Sequence, residues 1–168
     1  MRRRGLTLVE MIVALTIFGI VSAALFMVFR GHLSLSGPLQ ARADMIHDAR
    51  ASFDILSREL RHCSSIQSGQ ADSILFLARI SGVSQTYKYA LHGRSLRREA
   101  GGSGMQEVTE RAVDLGFTYL NLEGNVVSPP ITIANDQLVK RILVTVSVML
   151  PDESDTFTVS GAVAPRNI

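Results

Sequence analysis

Glu10 is the residue with the most chemistry to offer, because of where it stands. It closes the stretch Arg2-Arg3-Arg4-Gly5-Leu6-Thr7-Leu8-Val9-Glu10, and the run from Met11 to Phe29 behind it holds no charged residue. About 20 apolar residues wound as a helix cover the roughly 30 Å hydrocarbon core of a bilayer. Three arginines ahead of such a run hold that end in the cytoplasm. A carboxylate in the span costs about 2.5–3.5 kcal/mol near its centre and less near the interface, so it marks a group that has a partner. The junction is unusual as well. A secretory signal ends in a small-residue cleavage site after its apolar region, whereas Gly5 precedes it. A cut there would remove the arginines and leave the apolar helix on the mature chain.

Arg4-Gly5-Leu6-Thr7-Leu8-Val9-Glu10 resembles the prepilin leader junction of type IV pilins and type II secretion pseudopilins. That resemblance implies cleavage between Gly5 and Leu6 by a membrane-embedded prepilin peptidase, N-methylation of Leu6, and a role for Glu10 in subunit assembly. It also implies an inner-membrane assembly platform, other pilin or pseudopilin subunits and inner-membrane lipid as partners. The chain would then be anchored in the inner membrane of a bacterium, amino terminus cytoplasmic and body periplasmic, before entering a filament. Two positions depart from major pilins: Met27 replaces a late proline, and Leu6 a more frequent phenylalanine. Gly19 is then the residue that weakens the helix, by about 1 kcal/mol relative to alanine.

The chemistry of Glu10 follows from that cut. The new Leu6 amine has an ordinary pKa of about 7.7–8.0, and an unpaired ion in a low-dielectric layer costs several kcal/mol. Amine and carboxylate of one chain lie more than a helical turn apart and pair poorly. Glu10 of an incoming copy meets the Leu6 amine of a neighbour instead, apolar faces supplying contact and the ion pair the axial register.

Elsewhere the residues that could do chemistry are scattered. The chain has no HExxH, GxSxG, GxxxxGK[ST] or strand-embedded GxGxxG, and is read as no enzyme, with no cofactor and no metal. Gly101-Gly102-Ser103-Gly104 lacks a phosphate-gripping lysine and reads as a linker. His32, His47, His62 and His92 have no metal-ligand spacing, even with His62 beside Cys63. Asp152, Glu153 and Asp155 lack the order of a calcium loop and read as a solvated acidic turn. Arg94, Arg97 and Arg98 form a small basic patch, suited to a surface or subunit contact rather than to DNA.

Charge and cysteine set further bounds. Three of the 17 Lys+Arg lie in Arg2–Arg4, leaving 14 against 15 Asp+Glu, so the mature chain is near neutral and nucleic acid is not favoured as a partner. One cysteine, Cys63, forms no intramolecular disulfide. It is either buried or open to another chain, and burial is the reading taken.

The elements that position these residues follow in order. Ser34-Leu35-Ser36-Gly37-Pro38 predicts a bend or short break, after which Ala41, Met45, Ala49, Phe53, Leu56 and Leu60 mark one helical face. Arg50–Asp54 and Asp54–Arg58 stand at i,i+4 on the other face. Beyond Cys63 the period falls to two. Strands are expected over 73–79, 86–91, 95–99, 106–113, 115–121, 141–150 and 156–162, the clearest being Arg141–Leu150 with Val144, Val146 and Val148 alternating. The fold expected is α+β: a long N-terminal helix, apolar then amphipathic, packed on a C-terminal antiparallel sheet. Its divisions are a leader (1–5), a membrane or filament-core helix (6–29), an amphipathic continuation (30–62) and a β-rich periplasmic domain (63–168). Ala51–Arg61, Tyr87, Leu96-Arg97-Arg98, Val113–Tyr119 and Pro165-Arg166-Asn167 are similar to W-type minor pilins and J-type minor pseudopilins. The function implied is a minor pilin or pseudopilin that initiates or tips a filament; a J-type subunit of type II secretion, or a filament-borne adhesin or DNA-binding module, is the alternative.

Overall fold

A computed structural model describes residues 7–166, leaving aside the side chains of 32–36 and 38. One helix, α1, covers Leu8–Arg61. Of the bend or short break expected at Ser34–Pro38, the break is absent: α1 continues through these residues. Proline removes one N–H donor, and with long helical runs on both sides that loss does not end the helix. By compactness the chain divides between Gln40 and Ala41 into two units.

The first unit holds the apolar part of α1. Leu8–Gly31 has a mean hydropathy of 2.6, is long and apolar enough to cross a membrane, and is wholly unburied. Its Thr16 hydroxyl is satisfied within the helix, lying 2.9 Å from the carbonyls of both Ile12 and Val13. Such internal pairing is what a polar side chain needs among lipid tails.

In the second unit the rest of α1 packs on two antiparallel sheets. The six-stranded sheet runs β5-β4-β3-β2-β1-β8 and the four-stranded sheet β10-β9-β6-β7. The strands are β1 Cys63–Gly69, β2 Ser73–Ile80, β3 Val83–His92, β4 Ser95–Ala100, β5 Gln106–Thr109, β6 Ala112–Leu120, β7 Val126–Val127, β8 Ile131–Thr132, β9 Arg141–Met149 and β10 Thr156–Val163. The α+β fold is as expected, but two sheets replace the single one. The expected strand 106–113 is divided at Glu110-Arg111. Turn chemistry explains the hairpins: Ser81-Gly82, both at positive φ, join β2 to β3, and Gly93 at φ 63 opens the turn from β3 to β4. Two-residue hairpin loops prefer those backbone signs because their twist matches that of the strands.

The core lies where Met45, Ala49, Leu56 and Leu60 of α1 meet Phe76, Tyr89, Val144 and Val146 of the sheets, all of them buried. Of the expected helical face, Ala41 and Phe53 are half-buried instead. Phe53 lies on Gly161 of β10, where an added Cβ would come 2.6 Å from the ring. The two sheets are also joined directly. Phe117 N–H donates to the Ala71 carbonyl at 2.8 Å, and the Tyr119 hydroxyl to the Gln70 carbonyl at 2.9 Å.

Candidate functional site

Gly5 and Leu6, the expected cleavage and methylation positions, lie outside the described residues. Glu10 lies within them, on the first turn of α1. Thr7 directly precedes the helix. Its hydroxyl accepts from the Glu10 N–H at 3.3 Å, while the Glu10 carboxylate accepts from the Thr7 N–H at 3.4 Å. This reciprocal pair is a capping box, in which two otherwise orphaned donors of the helix start are satisfied. A carboxylate in the first turn is also favoured by the helix dipole. Glu10 is thus held at the helix start by local bonds. The signal, threonine followed three residues later by glutamate, was present in the sequence.

Around Glu10 the surface is apolar and open. Leu8, Val9, Met11, Ile12 and Val13 are each at least half exposed. Gly19 and Gly31 have nothing within 4 Å of where a Cβ would sit. α1 runs unbroken through both glycines. The segment therefore offers a continuous apolar flank with one acid at its beginning.

The body contains a polar cluster that sequence periodicity does not reveal. Glu59, on the last turns of α1, is buried and receives Arg98 of β4, whose Nε lies 3.0 Å from both carboxylate oxygens. The Tyr89 hydroxyl donates to the same carboxylate at 2.6 Å. Arg98 also lies over the Tyr87 ring, 5.1 Å from its centroid, and Phe76 stacks against both tyrosines. Burial, then the Glu59 carboxylate, drive the Tyr89 hydroxyl well above its ordinary pKa, and the hydrogen bond to Glu59 raises that of Arg98. A second buried acid, Asp136, accepts from the Ser65 hydroxyl at 2.9 Å and the Ile66 N–H at 3.2 Å. Both clusters fix one part of the fold to another.

The basic patch expected at Arg94, Arg97 and Arg98 does not form. Arg98 turns inward to Glu59, and Arg94 pairs with Glu153 of the β9–β10 loop. Arg97 buries its Nε without a hydrogen-bond partner. The physical reason lies in β4, where neighbouring side chains point to opposite faces. The acidic turn is solvated as expected, with Asp152 and Glu153 exposed, and it makes surface contacts: Asp155 binds Arg42 at 2.9 Å, and Asp152 accepts from the backbone and hydroxyl of Ser154. Those bonds hold the Asp152 carboxyl below its usual range. Arg50 lies over the Phe157 ring, 6.0 Å from its centroid. Cys63 is buried, and burial pushes its thiol up to about 12. Among the described residues no group of three or more His, Cys, Asp or Glu is placed to hold a metal ion.

No curated protein matches the chain. Residues 1–26, which include Glu10 and most of the apolar run, match the family model for the prokaryotic N-terminal methylation motif. With an apolar helix and an α+β body behind it, that motif supports a type IV pilin- or pseudopilin-like protein.

Proposed function

We propose that this chain is a minor pilin or pseudopilin, a structural subunit that initiates or tips a filament rising from the inner membrane. The observation that carries the reading is a single acid at the start of an unburied 24-residue apolar helix, inside a methylation motif. Residues 1–5 are the leader, 6–29 the membrane or filament-core helix, 30–62 its amphipathic continuation and 63–168 the periplasmic domain. The prepilin peptidase cuts between Gly5 and Leu6, Leu6 is N-methylated, and Glu10 then pairs with the Leu6 amine of a neighbouring subunit. Other subunits, the assembly platform and membrane lipid are the partners, and the role is structural rather than catalytic. The W- and J-type likeness favours a low-copy position over the shaft. Arg94 and Arg98 are engaged by carboxylates, which speaks against a DNA-binding sheet, since phosphate contacts need available cations.

Intact-mass spectrometry of the chain from membrane or sheared-filament fractions is the test. The expected species begins at Leu6 with one added methyl group. A chain that still carries Arg2–Arg4 in assembled material overturns the reading.

A further inference from the structure

We propose that this chain pairs with a second copy of itself through opposite charges: the acidic cleft between α1 and β5 of one copy takes the Arg58 and Arg61 side chains of the other. The cleft holds about 310 Å³ and is lined by Asp48 of α1 and by Glu107, Val108, Thr109, Glu110 and Arg111. Three carboxylates stand there against one guanidinium. The ion pairs of the described residues, Arg42–Asp155, Arg94–Glu153 and Arg98–Glu59, use none of these four groups. Glu107 and Glu110 are exposed and Asp48 is half-buried. Glu107 accepts one hydrogen bond, from the Ser95 hydroxyl at 3.0 Å.

Thr109 adds a second requirement. It lines the cleft at 7% exposure, and its hydroxyl makes no hydrogen bond among the described residues. A buried polar group left without a partner is costly. A metal ion does not fit, because among the described residues no group of three or more His, Cys, Asp or Glu is placed to hold one. The group that fits carries several donors at once. A guanidinium has five N–H donors in a fixed, planar fork, which suits carboxylates and a hydroxyl together.

The same chain presents two such groups side by side. Arg58 and Arg61 are exposed at i,i+3 on α1 and, with Asp54 and Ser57, line a second hollow of about 310 Å³. Neither is in an ion pair among the described residues, whereas Arg42, Arg94 and Arg98 are each engaged by a carboxylate. Asp48 lies ten residues before Arg58 and thirteen before Arg61, about 15–20 Å along a helix. An arginine side chain does not span that distance, so a chain cannot fill its own cleft. A second copy can, and opposite charges of this kind steer encounter and select the partner. With a formal net charge of +2 over the whole chain, two copies repel one another little. The pairing stands on the body alone and goes beyond the filament reading.

Charge reversal in two differently tagged full-length chains, mixed in detergent, tests this. One variant carries Glu107→Arg/Glu110→Arg and the other Arg58→Glu/Arg61→Glu. All four positions are exposed, and both variants are expected to keep the parent's Tm. The parent associates with itself, more weakly as salt rises. Each variant alone loses that association by about ten-fold or more, since like charges then meet. Mixed, the two recover it, because each cleft meets a face of opposite sign. A parent that does not associate overturns the proposal, as does a variant that associates with itself like the parent, or a mixture that fails to recover. Association carried by the apolar spans survives both salt and reversal, and so counts against the pairing. Should a reversal unfold the chain, the neutral changes Glu110→Gln and Arg58→Gln take its place. Each is expected to weaken association about three-fold, and no change overturns the pairing. A cleft that binds only a different polypeptide overturns the choice of a second copy.

Discussion

Arg98 of β4 grips both carboxylate oxygens of Glu59 from 3.0 Å, and so ties the end of α1 to the six-stranded sheet. The pair is largely out of water, with side-chain exposures of 23% and 10%. Removing one partner of such a pair leaves the other charge buried, at a cost of about 3–5 kcal/mol, while replacing both by apolar groups is often neutral. Glu59→Ala is therefore expected to destabilise the chain by about 3 kcal/mol, and Glu59→Met/Arg98→Met by clearly less. Denaturant unfolding of the two variants against the parent checks this; a double variant worse than Glu59→Ala would contradict it.

Glu10 caps its own helix and, in the proposed filament, also pairs with a neighbour's amine, and its neutral isostere separates the two. Gln at this position completes a capping box as well as Glu, but carries no charge to a neighbour's amine. Glu10→Gln is expected to leave helicity and leader removal unchanged while reducing filament entry about ten-fold or more. Thr7→Ala is expected to lose the cap, worth about 1 kcal/mol of helix stability, and still enter. If Thr7→Ala blocks entry and Glu10→Gln does not, capping is the function of Glu10 and the ion pair is not.

The buried thiol gives a pH signature. The Cys63 pKa is raised in the folded chain from an ordinary 9.0 to about 12, so the folded state keeps its proton when the unfolded chain has lost it. The stabilisation is full below pH 9 and falls as pH rises through the interval to 12, by about 1.4 kcal/mol per pH unit. Tyr89 and Tyr119, also raised from 10.0, steepen the loss above pH 10. Cys63→Ala is expected to flatten the stability profile between pH 9 and 10 and to leave the steeper loss above it. Unfolding midpoints across that range provide the check.

Gly69 marks a close approach. An added Cβ would stand 2.6 Å from the Tyr119 hydroxyl oxygen and 2.8 Å from the carbon that bears it. Gly69→Ala is expected to push the ring away from Gln70 and cost about 1–3 kcal/mol, as overpacking of a filled core does. Thermal unfolding of Gly69→Ala beside Gly82→Ala checks the steric cause. At Gly82 nothing lies within 4 Å, and the penalty there is that of its positive φ.

Much of the fold was legible because its periods are clean. Tyr87 and Tyr89 alternate with exposed Lys88, and Val144, Val146 and Val148 with the opposite face, as the period of two predicts. β1 was not legible. Two register shifts, near Ser65 and Ile66–Ser68, place its buried residues Cys63, Ile66 and Gly69 three apart, and alternation is lost. Glu59 and Asp136 escaped for another reason: their partners lie 39 and 71 residues away, and a pattern read locally carries no trace of them. The basic patch misled in the same way, since three arginines close in sequence were divided among separate environments. At the amino terminus the threonine-to-glutamate spacing stood in the sequence, while the two bonds it makes emerged with the geometry.

The Gln70-Ala71 corner, where Tyr119 and Phe117 reach across from the smaller sheet, acts as a stitch between the two layers. Parting the two layers at this corner breaks both bonds at once. A load on either layer is therefore passed to the other through this corner.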